Sequence, residues 1–232
     1  MNDQSNLATV LLAALLIWMP EGIAADFHYT YVEADWIRVD ADASANISDP
    51  ASGTDARIST EDDSGFKLGG AWQFAHRWHA FGEYSSSDQD AEINGTLLGQ
   101  PVAEGTGFDI NRARVGVGYA WPFRQRFDLY GRVSFDWTEV DNIKLAGLDI
   151  GDNDDTGPGF EIGSHWAPWR GLELDLSLRY TDVGEIKEGG DIDQDVLAGL
   201  DVRWWFSDRW GLQLESEFGE IKTLGAGVRV NL

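Results

Sequence analysis

From Phe27 onward, apolar and polar side chains alternate along the chain with a period of two instead of the helical period of 3.6. In the stretch LELDLSLRY, residues 172–180, four leucines and Tyr180 fall on one side of an extended chain, and Glu173, Asp175, Ser177 and Arg179 fall on the other. Because successive side chains of a strand point to opposite faces, this pattern predicts amphipathic β-strands.

Ten segments share this alternation, and each is roughly 8 to 11 residues long, the length that a tilted strand needs to cross a bilayer. We therefore predict an all-β fold, a ten-stranded antiparallel transmembrane β-barrel, with eight strands as the alternative. The segments are residues 31–38, 66–74, 78–84, 112–119, 127–137, 159–166, 172–180, 197–205, 212–218 and 224–232.

The connections between these segments alternate in length. Four are short, near 75–77, 120–126, 167–171 and 206–209, whereas four are long and polar, 41–63, 86–107, 138–156 and 181–194. A further tight link at 219–222 joins the last two segments. Short turns at one end and long loops at the other are typical of an outer-membrane barrel, and an even strand number brings both termini to the short-turn end.

A soluble barrel of the lipocalin kind also alternates, but its apolar face points inward. Aromatic residues around each short turn argue against that alternative, because indole and phenol rings sit well at the headgroup level of a membrane. These residues are Trp72, Phe74, Trp78, Tyr119, Trp121, Phe123, Phe127, Trp166, Trp169, Trp204, Trp205, Phe206 and Trp210.

The polar face mixes glycines with charges of both signs. Glycine weakens a solvent-exposed strand but makes room in a narrow lumen for long side chains opposite it. Buried charges require partners, which interleaved acids and bases supply. We therefore predict a charge-filled lumen containing Glu33, Asp35, Glu83, Asp136, Glu161, Glu173, Asp175, Asp201, Glu215 and Glu217 with Lys67, Arg112, Arg114, Arg132, Arg179, Arg203 and Arg229.

The N-terminus carries a short apolar run, residues 7–19, followed by Pro20 and the small residues of GIAA. This resembles a secretory signal peptide with cleavage after Ala24 or Ala25. We predict a signal peptide at 1–25 and a barrel domain at 26–232. The stretch before the run holds Asp3 and no Lys or Arg, so a misplaced start codon and a retained N-terminal helix are the alternatives.

Charge and cysteine content exclude several classes of function. With 40 acidic and 17 basic residues, the net charge of −23 argues against nucleic acid as a partner. The absence of cysteine excludes a disulfide scaffold, a thiolate metal site and a cysteine nucleophile.

The segments YVEADWIRV, FGEYS, RVGVGYAW and GAGVRVNL resemble those of small Gram-negative outer-membrane β-barrel proteins of the OmpA/OmpX-like superfamily. More narrowly, they are similar to a barrel family regulated by a diffusible quorum signal. The resemblance covers about residues 26–232 and implies residence in the outer membrane, contact with its lipid and lipopolysaccharide, and insertion by the barrel-assembly machinery. It implies no agreed activity. Leu232 stands where the assembly signal usually has a terminal aromatic.

No catalytic constellation is evident in the sequence. Ten-stranded outer-membrane proteases carry acid pairs and an Asp–His pair near the loop end, whereas His28, His76, His79 and His165 all fall elsewhere. His165, beside Ser164, is interpreted as an interfacial residue and not as half of a lipid-deacylase dyad.

We expect a non-enzymatic, cofactor-free monomer with a structural or interaction role and acidic extracellular loops. A narrow cation-preferring channel is the alternative, and an envelope enzyme that cleaves peptides or modifies lipid A is the third possibility.

One acidic stretch, DNDDTG at 152–157, begins like a calcium-binding loop. Asp152, Asp154 and Thr156 occupy its first, third and fifth positions, but Gly163 stands at the twelfth, where the motif requires Glu. Asp152, Asp154 and Asp155 are thus the calcium candidates, and solvated loop acids are the competing interpretation. The acidic run DIDQDV at 191–196 lacks the glycine altogether.

Because the twelfth-position carboxylate is missing, we expect no binding heat when calcium at millimolar concentration is titrated calorimetrically into the folded protein. A matched titration of the Asp152→Asn, Asp154→Asn, Asp155→Asn variant is the control. Heat that is present in the parent chain and lost in this variant would establish a calcium site.

Overall fold

The computed structural model describes residues 27–40, 44–49, 54–60, 63–97, 100–145, 148–183, 185–186, 190–191, 196–219 and 221–232. The predicted signal peptide, residues 1–25, lies outside the described residues. No helix in the described part of the chain is long and apolar enough to cross a membrane.

Ten antiparallel strands close into a barrel, as the alternation predicts, so the eight-stranded alternative is wrong. They run in chain order around the barrel, and the first and last pair with each other from Tyr31 with Asn231 to Asp40 with Lys222. The barrel strands are β1 (Tyr31–Asp40), β4 (Asp63–Ala75), β5 (Trp78–Leu97), β6 (Gln100–Arg124), β7 (Phe127–Leu145), β8 (Leu148–Trp169), β9 (Leu172–Thr181), β12 (Val196–Trp205), β13 (Trp210–Phe218) and β14 (Lys222–Asn231).

Four more strands lie outside the barrel wall. β2 (Ser44–Asp49) and β3 (Thr54–Thr60) form a hairpin between β1 and β4, and β3 pairs with the outer part of β5. β10 (Glu185–Ile186) and β11 (Gly190–Asp191) form a short hairpin between β9 and β12.

In two segments predicted as long loops, 86–107 and 138–156, the described residues are instead continuations of strands. β5, β6, β7 and β8 contain 20, 25, 19 and 22 residues and pair out to Leu97 with Gln100 and Leu145 with Leu148. The expectation of strands of roughly 8 to 11 residues is therefore wrong for these four, and β4, with 13 residues, also exceeds it. Paired strands outside the membrane are in contact with water and need no apolar face. Their sequence therefore shows no alternation of apolar and polar residues.

The apolar face of each strand points away from the barrel axis. On β1, Trp36 is 59% exposed on the outside, whereas its neighbour Asp35 is 4% exposed inside. The same holds for Leu176 and Leu178 on the outside of β9, against the buried Asp175. The lipid-facing orientation inferred from the sequence is confirmed.

The outward face of β5 marks where the hydrocarbon ends. Trp78 and Tyr84 are exposed on this face, and farther along the same face Asp88, Asp90 and Glu92 are exposed. Charged side chains on the lipid side of a barrel are costly at membrane depth and tolerated near its surface. β5 therefore leaves the membrane between Tyr84 and Asp88.

The short-turn end carries the predicted belt of aromatic rings. Its exposed members include Trp72, Phe74, Trp78, Trp121, Phe123, Trp169, Trp204, Phe206 and Trp210. Backbone bonds tie this end together, since the amide of Ala120 donates to the carbonyl of Arg77 at 2.9 Å and the amide of Ala167 donates to that of Arg126 at 3.0 Å.

Nitroxide labels test the orientation of the two faces. Labels replacing Leu174 and Val228 should collide readily with oxygen dissolved in the bilayer, because both positions are on the lipid side. A label replacing Ser177, which lines the interior cavity, is the matched control and should be protected from oxygen. Power-saturation measurements in which Leu174 and Val228 were as protected as Ser177 would contradict the orientation.

Candidate functional site

The candidate site is the barrel interior, where side chains from all ten strands surround a cavity of about 180 Å³. Three layers follow one another along the barrel axis. An aromatic layer lies near the short-turn end, a layer of paired charges lies in the middle, and an apolar layer lies towards the outer end. Each layer is made by inward-facing positions of the alternating strands.

In the middle layer, Glu161 of β8 joins two arginines. Arg114 contacts one of its oxygens at 2.6 Å and Arg132 contacts the other at 2.9 Å. All three side chains are largely withdrawn from solvent, with relative exposures of 7 to 12%. The arrangement satisfies both carboxylate oxygens with charged donors, which is the condition under which a buried charge is tolerated.

A second cluster centres on Asp175 of β9. Tyr130 donates a hydrogen bond to it at 2.8 Å, His165 pairs with its other oxygen, and Arg203 lies 3.6 Å away. Arg203 also contacts Asp201 at 2.8 Å. Acid and base thus alternate across neighbouring strands.

Further pairs extend the middle layer around the barrel. Lys67 pairs with Glu215, Arg179 with Glu217 at 2.9 Å, and Arg229 with Glu33 at 3.7 Å. The Arg229 guanidinium also lies 3.1 Å from the centre of the Tyr31 ring. The sequence predicts seven basic residues in the lumen, and six of them have a carboxylate partner. The seventh, Arg112, has no carboxylate partner within the described residues.

Glycines opposite these side chains provide the space that they need. A methyl group at Gly69 would lie 2.6 Å from an oxygen of Glu33, and one at Gly225 would lie 2.6 Å from an oxygen of Glu215. Both distances are too short for a real contact, so a larger residue would displace the charged side chain. The predicted role of glycine on the polar face is confirmed at these positions.

The aromatic layer contains Tyr29, which precedes β1 and is 5% exposed. Its ring stacks on His79, with ring centres 4.9 Å apart, and its hydroxyl reaches Nδ1 of His165 at 3.1 Å and Asp128 at 3.3 Å. Phe27 and Tyr130 also contact the His165 ring, at 5.5 and 4.8 Å between centres. Residues before β1 thus enter the short-turn end of the barrel and fill it.

The position of His165 corrects the sequence interpretation. The residue is 5% exposed and faces the interior, so its assignment as interfacial is wrong. The alternation places Ser164 on the opposite face, paired in register with Leu176, and the two side chains form no dyad. The Asp175–His165 pair lies where the middle layer meets the aromatic layer of the short-turn end, away from the loop end where outer-membrane proteases carry theirs.

The apolar layer was not anticipated from the sequence. Ile37 and Val39 of β1 pack against Ile221, and all three are buried inside the barrel, as are Ile110 and Leu197. Continuing the alternation of Tyr31, Glu33 and Asp35 would have placed Ile37 and Val39 inside. Continuing it backwards would have placed Tyr29 and Phe27 there as well.

The calcium candidates fall in the outer part of β8. Asp154 is exposed, and Asp155 lines the interior cavity. The side chain of Asp152 lies outside the described part of the chain. Among the described residues, no three acidic, histidine or cysteine side chains come together as metal ligands. The expectation that these aspartates bind no calcium stays a prediction to be measured.

The chain is similar to several solved structures of outer-membrane proteins. OprG from Pseudomonas aeruginosa is 12% identical and has a TM-score of 0.49, with coverage of 91% of this chain and 100% of that one. Neisserial surface protein A is 18% identical with a TM-score of 0.40 and coverage of 91% and 100%. Ail of Yersinia pestis is 16% identical with a TM-score of 0.39 and coverage of 86% and 95%. No curated protein sequence matches.

A family model also matches most of the chain. Residues 9–206 match the model described as the outer membrane protein beta-barrel domain, which is well over half of the chain. The closed ten-stranded barrel, its exposed apolar band and its aromatic belt agree with that description. The chain belongs to the outer-membrane β-barrel protein family and its place is the outer membrane of a Gram-negative bacterium.

Proposed function

We propose that this protein is a closed outer-membrane barrel with a structural or interaction role and no catalysis. In this proposal it is exported through a cleaved signal peptide at 1–25, inserted by the barrel-assembly machinery and present as a monomer in contact with lipopolysaccharide. The observation that carries the proposal is the filling of the lumen at the short-turn end by Tyr29 and the residues around it.

The filling is supported by contacts in two directions. Tyr29 stacks on His79, and the Arg132 side chain donates a hydrogen bond to His79 at 3.3 Å. Arg132 in turn pairs with Glu161 and lies 4.6 Å from the centre of the Tyr130 ring. The aromatic layer is therefore continuous with the paired charges above it. The interior of a ten-stranded barrel is also much smaller than that of a porin with about 16 to 18 strands, which favours its filling by side chains.

The outer strands offer a surface for an interaction. Asp55, Asp88, Asp90, Glu92 and Asp154 are exposed on the parts of β3, β5 and β8 that extend beyond the membrane. Such a surface suits cations or a basic partner from the medium, because its charges are solvated and need no internal partner.

A narrow cation-preferring channel is the second candidate. The interior cavity reaches from Tyr31 and Tyr130 near the short-turn end to Asp155 and Thr223 near the outer end, and carboxylates are numerous in its wall. Rings of acidic side chains favour cations in channels. An envelope enzyme is less well supported, since the Asp175–His165 pair has no hydroxyl nucleophile beside it in the described structure other than those of Tyr29 and Tyr130.

Planar-bilayer recording separates the closed barrel from the channel. We expect no steady unitary currents from the purified protein, because the aromatic layer around Tyr29 closes the short-turn end of the lumen. Tyr29→Ala should increase the frequency of current steps, whereas Tyr84→Ala, the same change on the outer surface, should not. Steady, cation-selective currents from the unmodified protein would establish the channel instead.

The charge layer should also contribute strongly to stability. Glu161→Ala leaves Arg114 and Arg132 without their shared carboxylate, and we expect a loss of about 3–5 kcal/mol in the free energy of unfolding. The control Glu92→Ala, at an exposed position, should change it by less than about 0.5 kcal/mol. Urea unfolding in lipid vesicles, followed by the difference in gel mobility between unboiled and boiled protein, measures both. Equal stabilities would show that the pairs contribute little.

A further inference from the structure

We propose that the outer half of the lumen binds a small organic anion with an aliphatic body. The anionic group would contact Arg112, and the aliphatic body would lie against the apolar layer. This inference deepens the proposed function and rests on its closed lumen, because a ligand held there could enter and leave only from the medium.

The apolar layer is unusual for its position. The interior of an outer-membrane barrel is ordinarily polar, whereas apolar side chains here line the cavity on opposite sides. Ile110 and Val140 are direct cross-strand partners on β6 and β7. Ile37, Val39 and Ile221 pack together on the β1 and β14 side. The two groups face the same space and provide dry surface for an aliphatic chain.

Arg112 is distinguished from the other bases of the lumen by its lack of a partner. It lies on β6 two residues from Ile110 on the same inward face and lines the cavity. Within the described residues it forms no ion pair, whereas Lys67 and the other five lumen arginines each contact a carboxylate. A guanidinium carries five donors in a planar fork that matches a carboxylate, and here they are available to one.

The residues beside Arg112 fit an anionic group of low charge. Ser85 and Thr138, its cross-strand neighbours, line the cavity and carry hydroxyls that can donate to a carboxylate. Glu83 and Glu217 also line the cavity and would repel an anion with several charges. A pocket with much apolar surface and a few placed polar groups is the usual form of a small-molecule site.

The size and position of the cavity agree with such a ligand. Its volume of about 180 Å³ is sufficient for a short aliphatic chain. The cavity extends outward to Thr223 and Asp155, whereas the aromatic layer around Tyr29 fills the short-turn end of the lumen. A ligand of this class would therefore come from outside the cell.

Hexanoate, hexan-1-ol and hexylammonium form a matched set of probes, because they share the chain and differ in the charge of the head. Each is titrated calorimetrically into the full-length barrel in lipid nanodiscs, with empty nanodiscs subtracted. We expect one hexanoate per barrel with a dissociation constant of about 1 mM or tighter, at least about tenfold weaker binding of hexan-1-ol, and no binding of hexylammonium.

Variants assign the binding to this site. Arg112→Gln should weaken hexanoate binding at least about tenfold, which corresponds to about 1.4 kcal/mol. Ile110→Asn should weaken hexanoate and hexan-1-ol alike. Arg209→Gln, the same substitution as at Arg112 but in an exposed turn at the short-turn end, should leave the affinity unchanged. The gel-mobility difference between unboiled and boiled samples verifies that each variant is folded.

Three outcomes would overturn the inference: hexanoate heats equal to those of empty nanodiscs, equal affinities for hexanoate and hexan-1-ol, or an Arg112→Gln affinity like that of Arg209→Gln. The first two require no variant and hold even if Arg112→Gln fails to fold. Steady bilayer currents together with hexanoate binding would refute the closed barrel but support the anion site. A silent barrel without hexanoate binding would refute the site alone.

Discussion

The structure depends on the closure of its sheet. In hydrocarbon no water is available to the peptide groups, so each must be paired within the protein, and a barrel without edges achieves this with strands. The pairing of β1 with β14 removes the last two edges. Closure also creates an interior that lipid does not reach, and the polar half of every strand is placed there. The charges of the lumen are thus a consequence of the same alternation that makes the outside apolar.

An interior of this kind must satisfy its own charges, and many of the described lumen side chains do so in linked groups. Glu161 joins Arg114 and Arg132, and Asp175 joins Tyr130, His165 and Arg203. Glycines leave the room that these side chains require. Where pairing stops, the character of the lumen changes. Aromatic rings fill one end, and aliphatic side chains line the other together with Arg112, which forms no ion pair within the described residues.

Much of the fold could be predicted from alternation alone, because a membrane fixes which face of each strand is apolar. Leu176 and Asp175 followed that rule, and so did the glycines beside Glu33 and Glu215. The rule failed where its physical cause is absent. Beyond the membrane, β5 to β8 continue without an apolar face and were taken for loops. Inside the barrel, Ile37 and Val39 occupy inward-facing positions of the alternation but are apolar. The pairing of Asp175 with His165 depends on the register of β8 and β9, which the sequence does not specify.

The described strands on one side of the barrel are about twice as long as those on the other side. β5 to β8, with β3 beside them, continue well beyond the membrane, whereas β13 ends at Phe218 and β14 begins at Lys222. A molecule that approaches the membrane surface would therefore meet a taller wall on the side of β5 to β8 than on the side of β13 and β14. Access to the outer opening of the lumen would then differ from one side to the other. The rotation of the barrel about its own axis, relative to its neighbours in the membrane, therefore decides what can reach its interior.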